Sequence, residues 1–176
     1  MRIFSLSLLC CFFLVQAFSQ SRNKTATFLF AQVTPTINDL TLGNNPLGMG
    51  LGIQSFFGTG GKFKPTVEIT GDVYLLNDKV FRTNGNGVEL LEVPAMVNLL
   101  AGAAFVAAKN MYVSLVAGPS FINGQTLFAI KPSFGFYFSS KQRWTGKISY
   151  INVFNRGTVI KENFSSVSFS LGVKLF

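Results

Sequence analysis

The chain has no histidine, and its two cysteines, Cys10 and Cys11, both fall within the first dozen of its 176 residues. Charged residues are also scarce, at 12% of the total, about half the usual share. These shortages exclude function classes. Once residues 1–19 are removed there is no thiol, no imidazole base, no disulfide and no histidine-ligated metal. Beyond residue 20 no segment shows a convincing amphipathic helical period. The charge excess is basic, with 15 Lys and Arg against 7 Asp and Glu. The bases do not cluster in one run or on one helix, so nucleic-acid binding is not the expectation.

What is present begins with "MRIFSLSLLCCFFLVQAFSQ". Arg2 supplies a positive start, Ile3 to Val15 an apolar core, and Ala17-Phe18-Ser19 the small residues a signal peptidase reads. The run is too short to span a bilayer comfortably. Residues 1–19 are therefore expected to be a cleaved signal peptide and 20–176 one exported domain. Neither cysteine is preceded by the small residues that lipoprotein processing requires.

The remainder reads as period-two segments separated by turn residues, an all-β signal. "PLGMGLGIQSFF" sets Leu47, Met49, Leu51 and Ile53 against Gly48, Gly50 and Gly52. "KPTVEITGDVYL" sets Val67, Ile69, Val73 and Leu75 against Thr66, Glu68, Thr70, Asp72 and Tyr74. "LLEVPAMVNLLAGAAF" runs Leu91, Val93, Ala95, Val97, Leu99, Ala101 and Ala103 on one face. "MYVSLVAG" and "LFAIKPSFGFYF" alternate in the same way. "WTGKISYINVF" is muddier, and "TATFLFAQV" cannot be phased because both faces are apolar. The last stretch, "NFSSVSFSLGVKLF", alternates most cleanly. That makes eight strands.

The links alternate in length. Residues 34–46, 76–88, 119–125 and 155–163 read as long polar loops, and 58–62, 107–110 and 139–142 as tight turns. This is the pattern of an eight-stranded antiparallel up-and-down transmembrane β-barrel with four outward loops and both termini on the periplasmic side. The apolar stripes reach the 9–11 residues a membrane strand needs. The opposite face is mostly small, as suits a lumen only wide enough for side chains to fill. Small residues are expected inside and bulky ones against lipid. The rival reading is a soluble lipocalin-like lipid carrier with the apolar stripes inside.

Glu68, Asp72, Glu92, Lys131 and Lys174 share the small-residue face and form a candidate luminal cluster. The ordinary reading is a salt-bridge network that neutralises buried charge and plugs the barrel; the rivals are a paired-carboxylate site and a narrow pore for small solutes. "GTGGK" lacks the first glycine and the Ser/Thr of a phosphate-binding loop, and reads as a hairpin turn. Asn23-Lys24-Thr25 and Asn163-Phe164-Ser165 match glycosylation sequons without consequence in a bacterial exported protein. "SFF" (55–57) and "FGFYF" (134–138) are expected to form a lipid-contacting aromatic girdle on the periplasmic side. Lys62, Lys109, Lys141 and Arg143 lie beside the short turns, as interfacial anchors or a dock for a periplasmic partner. Pro94 and Pro132 each remove a ladder hydrogen bond and are expected at bulges near the rim.

Phe169, Leu171, Val173 and Leu175, with the terminal Phe176, resemble the C-terminal signal that barrel-assembly machinery recognises, although Phe176 falls in the opposite phase from Leu175. "LLEVPAMVNLL" followed by "MYVSLVAGPSF" resembles the central hairpin of the PorT-like outer-membrane β-barrel family of Gram-negative bacteria. There a Glu-x-Pro strand precedes a strand ending in Gly-Pro, the positions of Glu92, Pro94, Gly118 and Pro119. The resemblance implies an eight-stranded barrel in the outer membrane, in a family whose members include components of secretion machinery. The expected function is non-enzymatic and needs no cofactor: a structural or partner-binding role in contact with outer-membrane lipid. No Ser/Asp constellation replaces the missing histidine.

Overall fold

The computed structural model describes residues 25–37, 46–58, 61–75, 93, 95–122, 124–138, 142–154 and 163–175. Residues 1–19, expected to be a signal peptide, lie outside them, as do Glu92, Pro94 and Phe176. Eight strands follow one another as β1 (Ala26–Pro35), β2 (Leu47–Phe56), β3 (Phe63–Tyr74), β4 (Ala95–Ala108), β5 (Met111–Ile122), β6 (Gln125–Tyr137), β7 (Trp144–Phe154) and β8 (Phe164–Lys174). Each pairs antiparallel with its sequence neighbours, and β8 pairs with β1 to close the barrel.

Successive paired residues run from Thr27 through Ser55, Val67, Ala101, Ala117, Ile130, Asn152 and Ser165. The circuit returns to β1 at Ile37, whose N–H donates to the Ser165 carbonyl. The ladder therefore closes ten residues above Thr27. That stagger on eight strands tilts them by roughly 35–45° to the axis and leaves a bore that side chains fill.

The alternation falls as the stripes require. Met49, Leu51, Ile53, Val67, Ile69, Val97, Leu99, Val113, Leu115, Phe169 and Leu171 are exposed on the outside. Six charged side chains lie in the strands: Lys64, Glu68, Asp72, Lys131, Lys147 and Lys174. Every one is at an inward-phase position, so the outer faces carry no charge. A soluble barrel would show the reverse. A lipid-facing surface must avoid charge, because a cation at mid-bilayer costs about 2–4 kcal/mol.

Aromatic residues cluster at both ends of the outer surface. Phe63 packs against Phe105 at 4.9 Å and Phe136 meets Phe138 edge-on at 4.9 Å, with Trp144 beside the second pair, at the end carrying the termini. At the other end Phe128 stacks on Phe154 at 6.1 Å, near Phe121. Two girdles flanking an apolar band mark the membrane interfaces. Phe56 does not join the girdle as expected; it points inward and is buried.

Three further expectations are corrected. Residues 119–125 are not a long loop, because β5 runs on to Ile122 and β6 starts at Gln125. Gly124 takes φ +74°, the conformation that lets an Asn-Gly pair close a two-residue hairpin. Gly118-Pro119 therefore lies inside β5 rather than at its end. Pro132 marks no bulge: Ile130↔Asn152 and Ser133↔Ser149 keep one register on either side of it. The ladder is interrupted only locally there, and again between Asn98↔Ser120 and Ala101↔Ala117, opposite Pro119. The described ladders shift register between Val106 and Ala108. Finally, Val93 is fully buried while Ala95 is exposed, so the alternation changes phase between them.

Candidate functional site: the luminal interior

The bore holds three kinds of surface in sequence along its length. At the end carrying the termini, Phe28, Phe30, Phe56, Ala104 and Tyr112 form a buried cluster, with Tyr137 packed against it. Phe56 meets Tyr112 edge-on at 5.1 Å and Phe28 at 5.9 Å. At the end carrying the longer links, Tyr74, Val93, Met96, Ile122, Val153 and Phe164 form a second cluster, which extends down one wall through Leu100 and Val116. The expectation that only small residues face inward is thus incomplete.

Glycine makes room for these rings. A Cβ at Gly135 would collide with the Tyr112 ring, and one at Gly48 would lie 2.7 Å from the Tyr74 ring. Large side chains on one strand occupy space that glycine leaves on the next.

Between the two apolar layers lies a polar belt. Glu68 Oε1 accepts from Lys131 Nζ at 2.7 Å and from Lys147 Nζ at 3.0 Å. Lys147 also donates to Gln54 Oε1 at 3.1 Å and sits 4.3 Å from the centre of the Phe30 ring. Asp72 accepts from Gln32 Nε2 at 2.7 Å, and Ser170 donates to Gln32 Oε1 at 3.4 Å. Asn98 Nδ2 donates to Thr70 Oγ1 at 3.0 Å. Two carboxylates face two ammoniums, so the buried charge sums to zero. Neutrality and direct pairing are the conditions under which charge persists in a dry interior. Ser114, Ser133, Ser149 and Ser168 stand directly opposite one another across four adjacent strands. Their hydroxyls have no protein partner, so the belt is the part of the bore suited to ordered water.

Of the five residues read from sequence, the structure brings Glu68 and Lys131 into contact and places Asp72 in the same belt. Glu92 lies outside the described residues. Lys174 is a correction: it has the inward phase but falls at the open end of β8, exposed and remote from Glu68. Lys147 was missed. Its signal was its two-residue spacing from Thr145 and Ser149, hidden because Ile151 and Val153 continue the same face inward. In the C-terminal strand Phe169, Leu171 and Leu175 point outward and Val173 is half-buried. The Leu175 N–H donates to the Thr27 carbonyl, at the seam where the barrel closes.

No protein-family model matches the chain, and no curated protein matches it in sequence. Solved structures match it in fold. The crystal structure of Ail, the attachment invasion locus protein of Yersinia pestis, aligns with a TM-score of 0.53 and 10% identity, covering 86% of this chain and 97% of Ail. Ail in complex with the heparin analogue sucrose octasulfate aligns with 0.56 and 9% identity, over 88% and 100%. Neisserial surface protein A aligns with 0.55 and 10% identity, over 87% and 99%. With its charge-free outer surface and paired aromatic girdles, the chain is an eight-stranded β-barrel of the outer-membrane type.

Proposed function

We propose that the protein is a non-enzymatic outer-membrane barrel that acts through its surface on a protein partner, with its bore serving only to hold the fold. The observation that carries this reading is the closed interior: apolar layers at both ends and a neutral, paired belt between them. Both luminal carboxylates already have partners, Glu68 with two lysines and Asp72 with Gln32. That supports a structural role over a paired-carboxylate site or a solute path.

The surface left for recognition is the set of segments joining strands at the end away from the termini: 38–45, 76–92 and 155–162. They carry Lys79, Arg82, Arg156 and Lys161 against Asp39, Asp78, Glu89, Glu92 and Glu162. So balanced a set favours a protein partner over a sulfated polyanion of the kind bound to Ail. In this reading the partner belongs to export machinery, as the PorT-like resemblance implies, and Phe169, Leu171, Val173, Leu175 and Phe176 engage barrel-assembly machinery during biogenesis.

The test is photo-crosslinking in whole envelopes from single positions in 76–92 and 155–162. The expected result is a discrete protein adduct. Failure to form any adduct, together with solute-dependent conductance in planar bilayers, would replace this reading with that of a narrow pore.

A further inference from the structure

Charge is sorted along the axis of this barrel. Asp39, Asp78, Glu89, Glu92 and Glu162 lie in segments that join strands at the end away from the termini, and Glu68 and Asp72 lie in the luminal belt. No side-chain carboxylate is left for the end carrying the termini, where Lys62, Lys64, Lys109, Arg143 and Lys174 stand.

These cations form two groups on facing walls of the mouth. Lys62, Lys64 and Lys109, with Gly61, Val106 and Ala107, line an open cleft of about 350 Å³ between the start of β3 and the end of β4. The Val106 N–H donates to the Lys62 carbonyl at 2.7 Å and ties its two sides together. Arg143 and Lys174 meet where β7 starts and β8 ends, the Lys174 N–H donating to the Arg143 carbonyl at 2.8 Å. In a closed ring of eight strands β3 and β4 lie opposite β7 and β8. The rim is braced between the groups, since Gln142 Nε2, before β7, donates to the Lys109 carbonyl at 3.1 Å.

The lysines of the strands belong to the bore side of the wall, not to its lipid side. Lys64 and Lys174 hold inward-phase positions, and Lys62 keeps the phase of Lys64, opposite the outward Phe63. Lys64 pairs with Ala104 and Lys174 with Phe28, both members of the buried cluster that closes the bore at this end. The mouth is therefore a blind cup, with cationic walls above an aromatic floor. Eight strands about 4.8 Å apart and tilted by about 40° enclose a wall about 16 Å across. A small anion reaches one group only, whereas about five residues of extended chain, at about 3.3 Å each, reach both.

We propose that this collar docks an extended acidic segment of a protein in the compartment facing the termini, with carboxylates held by Lys62, Lys64 and Lys109 on one wall and by Arg143 and Lys174 on the other. An excess of one sign, with no carboxylate to offset it, steers such a segment to the mouth. A peptide also carries apolar side chains between its acids, which suits the Val106 and Ala107 lining of the cleft; a phosphate or sulfate polymer has none to offer. The closed floor makes the cup a dock and not an entrance. It lies at the opposite end from the segments proposed above for recognition, so either proposal can fail alone.

The test is binding of a labelled peptide of alternating Asp and Val, long enough to span the mouth, to the folded full chain in phosphatidylcholine nanodiscs. The Asp peptide should bind and weaken with added salt, and the same peptide with Asn for Asp should not bind. At up to about fivefold for each exposed ion pair, Lys62→Gln/Lys64→Gln/Lys109→Gln should weaken binding about tenfold or more and Arg143→Gln/Lys174→Gln about fourfold or more. The Lys→Arg version of the triple variant should keep binding, which separates lost charge from lost fold. A fluorophore on Ala107→Cys should respond to the peptide, and one on Gln125→Cys, at the far end, should not. Equal binding of the Asp and Asn peptides would overturn the proposal, as would full binding by either Gln variant, since both walls are required. Tighter binding of a polyphosphate of equal charge would show a site for phosphate polymers instead. Loss of the peptide on changing to phosphatidylglycerol nanodiscs would show that lipid headgroups occupy the collar, and would equally overturn it.

Discussion

Glu68→Gln tests the luminal network in the most demanding way. The carboxylate is fully buried and one of its oxygens holds both Lys131 and Lys147. The substitution preserves shape but leaves two ammoniums side by side, with Asp72 as the remaining anion of the belt. Removing one partner of a buried ion pair costs about 3–5 kcal/mol. The lost attraction is of that order: two opposite unit charges roughly 4 Å apart in an effective dielectric of 20 attract by about 4 kcal/mol, and the unchanged repulsion between the two lysines is then uncompensated. In urea-dependent folding into phospholipid vesicles, Glu68→Gln should therefore lose about 3–5 kcal/mol. The variant Glu68→Leu/Asp72→Asn/Lys131→Met/Lys147→Met removes all four charges of the belt and should recover most of that loss, since apolar or neutral replacement of a buried ionic cluster is often neutral or better. A Glu68→Gln cost below about 1 kcal/mol, the range of solvent-exposed pairs, would refute the reasoning and mean that the belt is open to bulk water.

Three other outcomes follow from the same structure. Leu51→Arg, at an outward position that is 62% exposed in the apolar band, should cost about 2–4 kcal/mol in vesicle folding, whereas Phe63→Arg at the girdle should cost about 0–1 kcal/mol; equal costs would mean that no bilayer surrounds the barrel. Gly135→Ala, whose new methyl would strike the Tyr112 ring, should destabilise by about 1–3 kcal/mol through overpacking. Combined with Tyr112→Ala it should cost less than the two changes separately, and strict additivity would show that the two residues do not share space. Exchange of residues 76–92 for a Gly/Ser linker should preserve the heat-dependent mobility of the folded barrel on detergent gels while abolishing the partner adduct; loss of the folded band would make the segment structural.

Much of this architecture is legible in the sequence because a barrel wall is a two-residue code. Where one face is uniformly apolar and the other small, as in β2, β3 and β8, the phase reads directly and the structure agrees residue by residue. Where both faces are apolar the code is silent. Phe28 and Phe30 turn inward and Leu29 and Val33 outward, a choice made by the space beside Gly172, where a Cβ would sit 2.6 Å from the Phe30 ring. That complementarity is tertiary and invisible to a window along one strand. Lys147 was hidden for the same reason, since Ile151 and Val153 on its own face belong to the apolar layer above it. The hairpin at Gly124 is masked in the sequence because Gly118 and Pro119 look like the start of a loop. In the barrel Pro119 pairs with Phe128 on one side, and its missing N–H falls at the interruption of the ladder on the other.

The measurement that bears most directly on the central claim is a single-cysteine spin-label scan of β2 and β8 in vesicles. Expressed from residue 20, the protein needs no background substitution, because the chain has no cysteine after Cys11. Oxygen, which partitions into lipid, should relax labels at Met49, Leu51, Ile53, Phe169 and Leu171, while labels at Gln54, Ser168 and Ser170 should be sheltered. A period of two in that phase is what an inward-plugged membrane barrel predicts. The opposite phase, or strong access of a water-soluble relaxant to the outward positions, would contradict it.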